Sequence, residues 1–337
     1  MMIALLIALV CVSARGQAAG DYEQGVTEFK AGNYSSAAEL FLRAETLKPG
    51  STDALLYQGK CLIHLQDFAG AEKALREYAS AHRDSADALY LLGFVLNRQN
   101  RPSESLEVYT KAAALVRPSS DDLKIVGLNY VLLNDYPDAI HWLERAVQFD
   151  AGNKDAWYYL GRAYYTQSQL PAARKAFLTV LQLDPHDGRA ENSLGLIFES
   201  DAQPDAAIEA YRKAILWQEQ NPHPTEQPYV NLGNLLLNQG RTKEGIESLE
   251  QAVKVAPGNA YCHLRLGTGY LRNGQLEGAQ RELEKATQLD PNSATGHYQL
   301  GRLYKEIHAL DRAKAEFDRS AELEGKAKAV TPATTKP

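Results

Sequence analysis

The side chains most able to bind a metal or to act as nucleophiles are scattered along this sequence. The eight histidines form no His-x3-His or HExxH pair, so a helical metal site has no support. Cys61 and Cys262 lie far apart in the chain, and we expect them to be small buried apolar residues rather than reactive thiols. The glycines recur at a fixed spacing and form no phosphate-binding loop. The sequence therefore predicts a non-enzymatic protein without a cofactor.

Composition limits the partners that the chain could bind through charge. The formal net charge of the 337 residues is −6 and the pI is about 5.8. A general nucleic-acid binder would need a basic stripe, which an acidic chain of this kind does not favour. Beyond the N-terminal segment, no apolar run is long enough to predict a transmembrane helix.

Three kinds of residue recur with a period of 34 residues, broken by a single step of 38 between Gly195 and Gly233. The first kind is always glycine: Gly25, Gly59, Gly93, Gly127, Gly161, Gly195, Gly233, Gly267 and Gly301. The second is small: Ala37, Ala71, Ser105, Ala139, Ala173, Ala207, Gly245, Ala279 and Ala313. The third is large and apolar: Phe41, Leu75, Tyr109, Leu143, Phe177, Tyr211, Leu249, Leu283 and Phe317. Small and large residues in fixed register predict close helix contacts beside filled core positions.

The segment 154–187 resembles the tetratricopeptide repeat, whose signature is W-x2-L-G-x2-Y…A-x3-F…P. Every position of the signature is filled, by Trp157, Leu160, Gly161, Tyr164, Ala173, Phe177 and Pro185. The resemblance implies an all-α fold, a right-handed α-solenoid of antiparallel helix pairs that forms a superhelix. Repeats 1–6 would occupy residues 18–221 and repeats 7–9 residues 226–325.

Helix starts are marked independently of the core residues. The residue before each new repeat is a strong N-cap type: Ser51, Ser85, Ser119, Asn153, Asp187, Asn221, Asn259 and Ser293. Together with the repeat pattern, these caps predict 18 helices of about 13 residues each.

Three segments depart from the repeat pattern. Residues 222–225 form an insertion whose prolines interrupt a helix, so it is either a longer loop or a hinge, and Thr225 could cap the next helix. Residues 326–337 are small and polar and predict a disordered tail. Residues 1–17 contain a short apolar run and resemble a secretory signal peptide, which predicts an exported, periplasmic or secreted protein. Because no Lys or Arg precedes that run, an anchoring or buried segment is the alternative.

In tetratricopeptide proteins the A helices, which come first in each repeat, line a groove that binds partners. The resemblance places the following side chains there: Tyr90, Phe94, Asn97, Arg98, Lys124, Tyr158, Arg162, Tyr165, Asn234, Asn238, Arg272, Tyr298 and Arg302. Aspartates in the first turns of A helices interact favourably with the positive end of the helix dipole. Asp53, Asp87, Asp121 and Asp155 are therefore not counted in the charge of the groove. The remaining cations are Lys30, Lys60, Arg98, Lys124, Arg162, Arg189, Arg272, Arg302 and Lys305, against Glu199 and Glu306. The sequence therefore predicts a basic, aromatic groove.

These observations predict a non-enzymatic scaffold or adaptor of a bacterial cell envelope, which binds a protein or peptide partner, with a preference for acidic ones. A glycan-binding or polysaccharide-export accessory is the first alternative, since sugar rings stack on aromatic side chains. A chaperone-like module for unfolded clients is the second. The oligomeric state is left open.

Overall fold

The structure is a computed structural model that describes residues 2–50, 53–218, 222 and 224–330, with side chains described between residues 16 and 326. Its described residues form eighteen helices and no strand, so the predicted all-α solenoid is confirmed. The chain divides into two compact units between Ala176 and Phe177, inside the tenth helix. Each unit is described below by itself.

Unit 1 consists of successive antiparallel helix pairs, in which an A helix is followed by a B helix. Its helices are α1 (Met2–Lys30), α2 (Tyr34–Leu47), α3 (Ala54–His64), α4 (Phe68–Ala81), α5 (Ala86–Arg98), α6 (Pro102–Leu115), α7 (Ser120–Leu132), α8 (Tyr136–Phe149), α9 (Lys154–Thr166) and the start of α10 (Leu170–Leu183). Each A helix contacts its B helix and also the next A helix, so the A helices of the unit form one layer.

Unit 2 repeats this arrangement after the end of α10. Its helices are α11 (Gly188–Ser200), α12 (Pro204–Gln218), α13 (Gln227–Asn238), α14 (Thr242–Val255), α15 (Ala260–Arg272), α16 (Leu276–Leu289), α17 (Ala294–Glu306) and α18 (Leu310–Val330). Here α11, α13, α15 and α17 are the A helices and again contact one another in order. Side chains of α12 and α13 share one buried cluster, so the core is continuous across the insertion 222–225.

The recurring small and large residues meet where the two helices of a pair cross. A Cβ atom on Gly233 would lie 2.6 Å from Cγ of Leu249 and 3.0 Å from the carbonyl oxygen of Gly245. A Cβ atom on Gly127 would likewise lie 2.7 Å from Cγ of Leu143. Because Leu143 and Leu249 are fully buried, neither side chain has free space to move into. The glycines are therefore required by the close approach of A and B helices.

Six of the eight predicted N-caps accept a backbone N–H of the following helix: Ser85, Ser119, Asn153, Asp187, Asn259 and Ser293. Ser119 forms a full capping box, since Asp122 accepts the Ser119 backbone N–H at 2.8 Å. The other two predicted caps, Ser51 and Asn221, lie outside the described residues.

The prediction that Thr225 caps α13 is wrong. Glu226 precedes the helix and makes no side-chain cap hydrogen bond. The backbone N–H and the hydroxyl of Thr225 instead donate to Oε1 of Gln218, at 3.0 and 3.2 Å. The amide of Gln218 returns a bond to the Thr225 carbonyl oxygen at 3.0 Å. Gln218, at the end of α12, is 8% exposed and therefore anchors the insertion from the side of the preceding helix.

The two ends of the chain extend the terminal helices. Helix α18 continues to Val330, so residues 326–330 are helical where the sequence predicts the start of a disordered tail, and residues 331–337 lie outside the described part. At the other end, the segment that resembles a signal peptide, from Met2 onwards, belongs to α1. Over the described residues, no helix is both long enough and apolar enough to cross a membrane.

A hydrogen bond from a tyrosine to the preceding repeat is found in three of the repeats. The hydroxyls of Tyr270 and Tyr304 donate to Glu250 and Glu284, on the B helix of the preceding repeat, at 2.7 and 2.9 Å. Tyr164 makes the same bond to Glu144 at 2.5 Å. These bonds join one helix pair to the next, and the tyrosine belongs to the repeat signature.

Candidate functional site

The side chains predicted to bind a partner lie on the A helices of both units. The name unit 1 A-face is used here for the side chains at the predicted positions of α3, α5, α7 and α9. It includes the side chains of the same helices that contact them. It holds eight of the predicted residues: Tyr90, Phe94, Asn97, Arg98, Lys124, Tyr158, Arg162 and Tyr165. The contacts of these residues separate those that hold the fold from those that remain exposed.

Two predicted binding residues of the unit 1 A-face are used by the fold. The hydroxyl of Tyr90 donates to the carbonyl oxygen of Val116 at 2.6 Å, and burial raises the pKa of Tyr90. The amide of Asn97 donates to Asn129 at 2.9 Å, and Asn129 donates in turn to the hydroxyl of Ser105 at 2.8 Å. Asn129 is fully buried and is not among the predicted binding residues. Tyr90 and Asn97 therefore have structural partners within the chain.

The unit 1 A-face is less basic than the sequence predicts. Lys60 pairs with Asp87 of the next A helix at 2.8 Å, and Lys124 pairs with Asp121 at 2.7 Å. The hydrogen bond from Lys124 holds the pKa of Asp121 below its usual value. The expectation that these aspartates act only on the helix dipole is wrong, because each neutralises a lysine of the same face.

Cationic and aromatic groups nevertheless stay accessible on this face. Arg98 and Arg162 are exposed, and the Arg98 guanidinium lies 5.5 Å from the ring centroid of Phe68. Tyr158, Tyr165 and Phe94 are half-buried. Between these groups α7 presents Leu132, which is 41% exposed. This part of the face combines two arginines with apolar surface.

The unit 2 A-face is formed by the corresponding side chains of α13, α15 and α17. It holds the remaining five predicted residues: Asn234, Asn238, Arg272, Tyr298 and Arg302. Asn234 is half-buried and the other four are exposed. Tyr298 packs its ring 5.7 Å from that of Phe317 and is still 49% exposed. Arg302 donates to Gln299 of its own helix at 3.1 Å.

A residue that is not among the predicted binding residues lies at the centre of the unit 2 A-face. Arg265 of α15 donates from Nε to the carboxamide oxygen of Asn234 at 2.5 Å. Its guanidinium also lies 6.0 Å from the ring centroid of Tyr261, which is 50% exposed. Arg265 occupies the sixth position of its repeat, which the family resemblance does not assign to the groove. A usable signal was present in α13 and α15, since neither helix contains a carboxylate.

His263, His297, Cys61 and Cys262 are part of the packing. His263 lies within hydrogen-bond distance of Glu282 and of the Pro257 carbonyl oxygen, at 2.8 and 3.0 Å. His297 repeats this contact with Glu316, one repeat later, at 2.6 Å. Cys61 and Cys262 are both fully buried, and burial raises the pKa of each thiol to about 11. In the described residues, no three His, Cys, Asp or Glu side chains come together as a metal site.

Comparison with protein families identifies the repeat over most of the chain. Tetratricopeptide repeat patterns match residues 22–83, 65–121, 127–187 and 160–224. Two further tetratricopeptide patterns match residues 226–259 and 267–307. The matched segments cover most of both A-faces but not Lys124, Tyr261 or Arg265.

Curated relatives are similar over much of this chain and over a smaller part of their own length. The BBSome complex member BBS4 of Bos taurus is 27% identical over 243 residues, which cover 69% of this chain and 46% of the relative. The anaphase-promoting complex subunit 3 of Schizosaccharomyces pombe is 21% identical, with 72% and 36% covered. The chain thus spans less than half of the length of either relative.

Solved structures confirm the fold at low sequence identity. A chain of the APC/C hetero-tetramer Cut9-Hcn1 superposes with a TM-score of 0.63 at 16% identity, covering 83% of this chain and 54% of that one. A tetratricopeptide repeat protein from Parabacteroides merdae superposes with a TM-score of 0.59 at 17% identity, covering 74% and 97%. Similarity at this level of identity establishes the helical solenoid and leaves the function to be argued from the site.

Proposed function

The chain belongs to the tetratricopeptide repeat family, and we propose that it is a non-enzymatic scaffold that binds a protein or peptide partner on the exposed side of its A helices. The observation that carries the proposal is the exposure of large binding-type side chains on both A-faces. Tyr261 and Tyr298 keep about half of their surface exposed, and Arg98 and Arg162 are also exposed. Tyrosine and arginine are the residue types that dominate binding energy at protein interfaces.

The named relatives support an interaction role in general terms. Both are described as members of multi-protein complexes, the BBSome and the anaphase-promoting complex. A scaffold of this kind holds a partner by surface complementarity, and its A helices are rigid because they pack against B helices and against neighbouring A helices. Because the net charge of the chain is −6, we propose that the partner is not a nucleic acid.

Binding to a peptide library tests this function directly. The purified protein is incubated with an array of overlapping peptides from its own organism's proteome and, in parallel, with an array of oligosaccharides. The proposal expects saturable binding to a subset of peptides that share a pattern. Saturable binding to sugars alone would replace it with the glycan-binding role, whose support is the exposed rings of Tyr261 and Tyr298. Binding that follows only the hydrophobicity of unfolded peptides would replace it with the chaperone-like role.

We further propose that the protein works outside the cytoplasm, in a bacterial cell envelope, because residues 1–17 resemble a secretory signal. Expression of the full chain and of a chain that lacks residues 2–17 in a bacterial host, followed by fractionation, tests this location. We expect the full chain in the periplasm or medium, shortened at its N-terminus, and the truncated chain in the cytoplasm. Equal fractionation of the two chains would overturn the proposal, and an uncut full chain in the membrane fraction would assign the segment as an anchor.

A further inference from the structure

Charge is separated between the A and B helices in the last three repeats. Helices α13 and α15 contain no Asp or Glu, whereas α15 carries Arg265 and Arg272. Helix α17 adds Arg302 and Lys305 against Glu306. The B helices α14 and α16 each carry three glutamates and two cations. The A layer of these repeats is therefore positive within a chain whose net charge is negative.

Within the described part of the chain, the arginines and the lysine of this layer form no salt bridge. Among the described residues, Arg265, Arg272, Arg302 and Lys305 have no carboxylate within salt-bridge distance, and Glu306 is exposed to solvent at the end of α17. The unit 1 A-face differs, because Lys60 and Lys124 are paired there with aspartates. The unit 2 A-face thus offers unpaired positive charge to a ligand. On the unit 1 A-face, both lysines are already paired within the chain.

Arg265 is positioned to bind a carboxylate with little loss of freedom. Its Nε is bound to Asn234 at 2.5 Å, and the Tyr261 ring supports the guanidinium at 6.0 Å. Neither contact uses the two terminal nitrogens of the guanidinium, so both can bind a ligand. A guanidinium held in one orientation can donate two parallel hydrogen bonds to one carboxylate. Because Arg265 is half-buried, its ion pair would be screened less than one on an open surface.

The spacing of the arginines matches an extended peptide. Arg265 and Arg272 are seven residues apart, so they lie on one side of α15 about two turns, or roughly 10 Å, apart. Arg302 lies on α17, the neighbouring A helix, which places it at about the same distance across the layer. In an extended chain with three residues per turn, side chains three residues apart lie on one side at a separation of about 9 Å. Two carboxylates three residues apart therefore fit Arg265 together with either Arg272 or Arg302.

We propose that the face formed by Asn234, Tyr261, Arg265, Arg272 and Arg302 binds an extended acidic segment of a partner protein, with Arg265 as its principal anion-binding residue. This inference rests on the proposed scaffold function and assigns the partner class and the repeats that bind it. The exposed rings of Tyr261 and Tyr298 would pack against the aliphatic parts of the segment.

Fluorescence anisotropy with the full chain and a labelled probe peptide tests the inference. The probe contains glutamate at every third position with glycine and serine between, and the matched peptide carries glutamine in place of glutamate. We expect saturable binding of the glutamate peptide, weaker binding as salt increases, and little binding of the glutamine peptide. Arg265→Gln should weaken binding of the glutamate peptide by about tenfold. Arg265→Lys should weaken it by less, because the positive charge remains while the paired donors of the guanidinium are lost.

The control is Arg212→Gln on the B helix α12, which makes the same change in net charge at an exposed arginine whose contact to Glu244 is a long 3.5 Å. Circular dichroism of each variant establishes that the fold is kept. No binding of the glutamate peptide at low salt would overturn the inference, as would an equal loss in Arg212→Gln and Arg265→Gln. Tighter binding of an acidic oligosaccharide of equal charge would assign the face to a glycan instead. If the peptide array yields partners that are not acidic or do not depend on Arg265, the scaffold function stands and this inference fails.

Discussion

The hydroxyl of Tyr270 in α15 donates a hydrogen bond of 2.7 Å to the carboxylate of Glu250 in α14. The two residues belong to successive repeats, so this contact joins neighbouring helix pairs rather than the two helices of one pair. Burial, followed by the hydrogen bond to Glu250, raises the pKa of Tyr270 to about 12. Tyr304 and Glu284 repeat the contact one repeat later, with the pKa of Tyr304 also raised to about 12.

Replacement of Tyr270 with phenylalanine should lower the free energy of unfolding of the chain at pH 7 by about 1 kcal/mol, the usual net contribution of one hydrogen bond. The folded-state pKa lies above that of an unfolded tyrosine, so the contribution is complete below about pH 10 and is lost as the pH rises towards 12. The difference between wild type and Tyr270→Phe should therefore be constant from pH 7 to about 9.5 and then shrink. Urea unfolding followed by circular dichroism across this range measures it, and a difference that grows with pH would contradict the prediction.

The buried asparagine network in unit 1 should be sensitive to truncation. Asn129→Ala removes the acceptor of Asn97 and the donor to Ser105 and leaves a cavity, so we expect a loss of about 2 kcal/mol or more in the free energy of unfolding. Asn238→Ala is the matched control, because Asn238 is exposed near the end of α13. Thermal unfolding of both variants provides the comparison. Equal melting temperatures would show that the network contributes nothing to stability.

Glycine at the helix crossing should not tolerate a methyl group. Gly233→Ala places a Cβ atom 2.6 Å from Cγ of buried Leu249, and the resulting shift should destabilise unit 2 by about 1–3 kcal/mol. Gly325→Ala is the control on α18, because a Cβ atom there has no neighbour within 4 Å and alanine is the better helix former by about 1 kcal/mol. We expect the denaturation midpoint to fall in Gly233→Ala and to rise in Gly325→Ala. A stabilised Gly233→Ala variant would mean that the crossing relaxes without cost.

The capping box of α7 supports a helix start that the sequence already marks. Ser119→Ala removes the hydroxyl that accepts the Asp122 N–H at 3.2 Å, and we expect a loss of about 1 kcal/mol. Ser103→Ala is the control, since Ser103 is an exposed serine in the first turn of α6 after its N-cap, Arg101. Chemical unfolding of the two variants, measured side by side, checks this loss of stability. The cap is unimportant if both variants unfold at the same denaturant concentration.

Charge reversal on the unit 1 A-face should weaken capture of a partner without unfolding the chain. We expect the double variant Arg98→Glu and Arg162→Glu to retain less than about a tenth of the bound peptide found on the array, because arginines often dominate interface energy. The control variant reverses Arg83 and Arg145, two exposed arginines outside the A-face. A pull-down with the identified peptide measures both. Unchanged capture by the Arg98 and Arg162 variant would remove these residues from the binding surface.

The repeat, the helix count and the core positions were predictable from the order of the residues alone. The glycine, small and large residues are periodic because each pair of helices must cross at the same place, and a requirement that recurs in every repeat is visible in the order of residues. The N-caps were equally visible, since a helix start is a local event. Thr225 does not cap α13 because a competing partner, Gln218, lies seven residues earlier, and only folding brings the two together.

The polar side chains that remain available to a partner could be identified only from the folded chain. Lys60 and Asp87 are 27 residues apart in the chain and pair across neighbouring A helices. Asn97 and Asn129 are 32 residues apart and meet in a buried network, and Asn234 orients Arg265 from a distance of 31 residues. A side chain's partners lie on the next repeat, about one period away, and their pairing depends on side-chain length and rotamer as well as on repeat position. The sequence therefore located the face, and the packing of one repeat on the next selected the residues of that face that are available for binding.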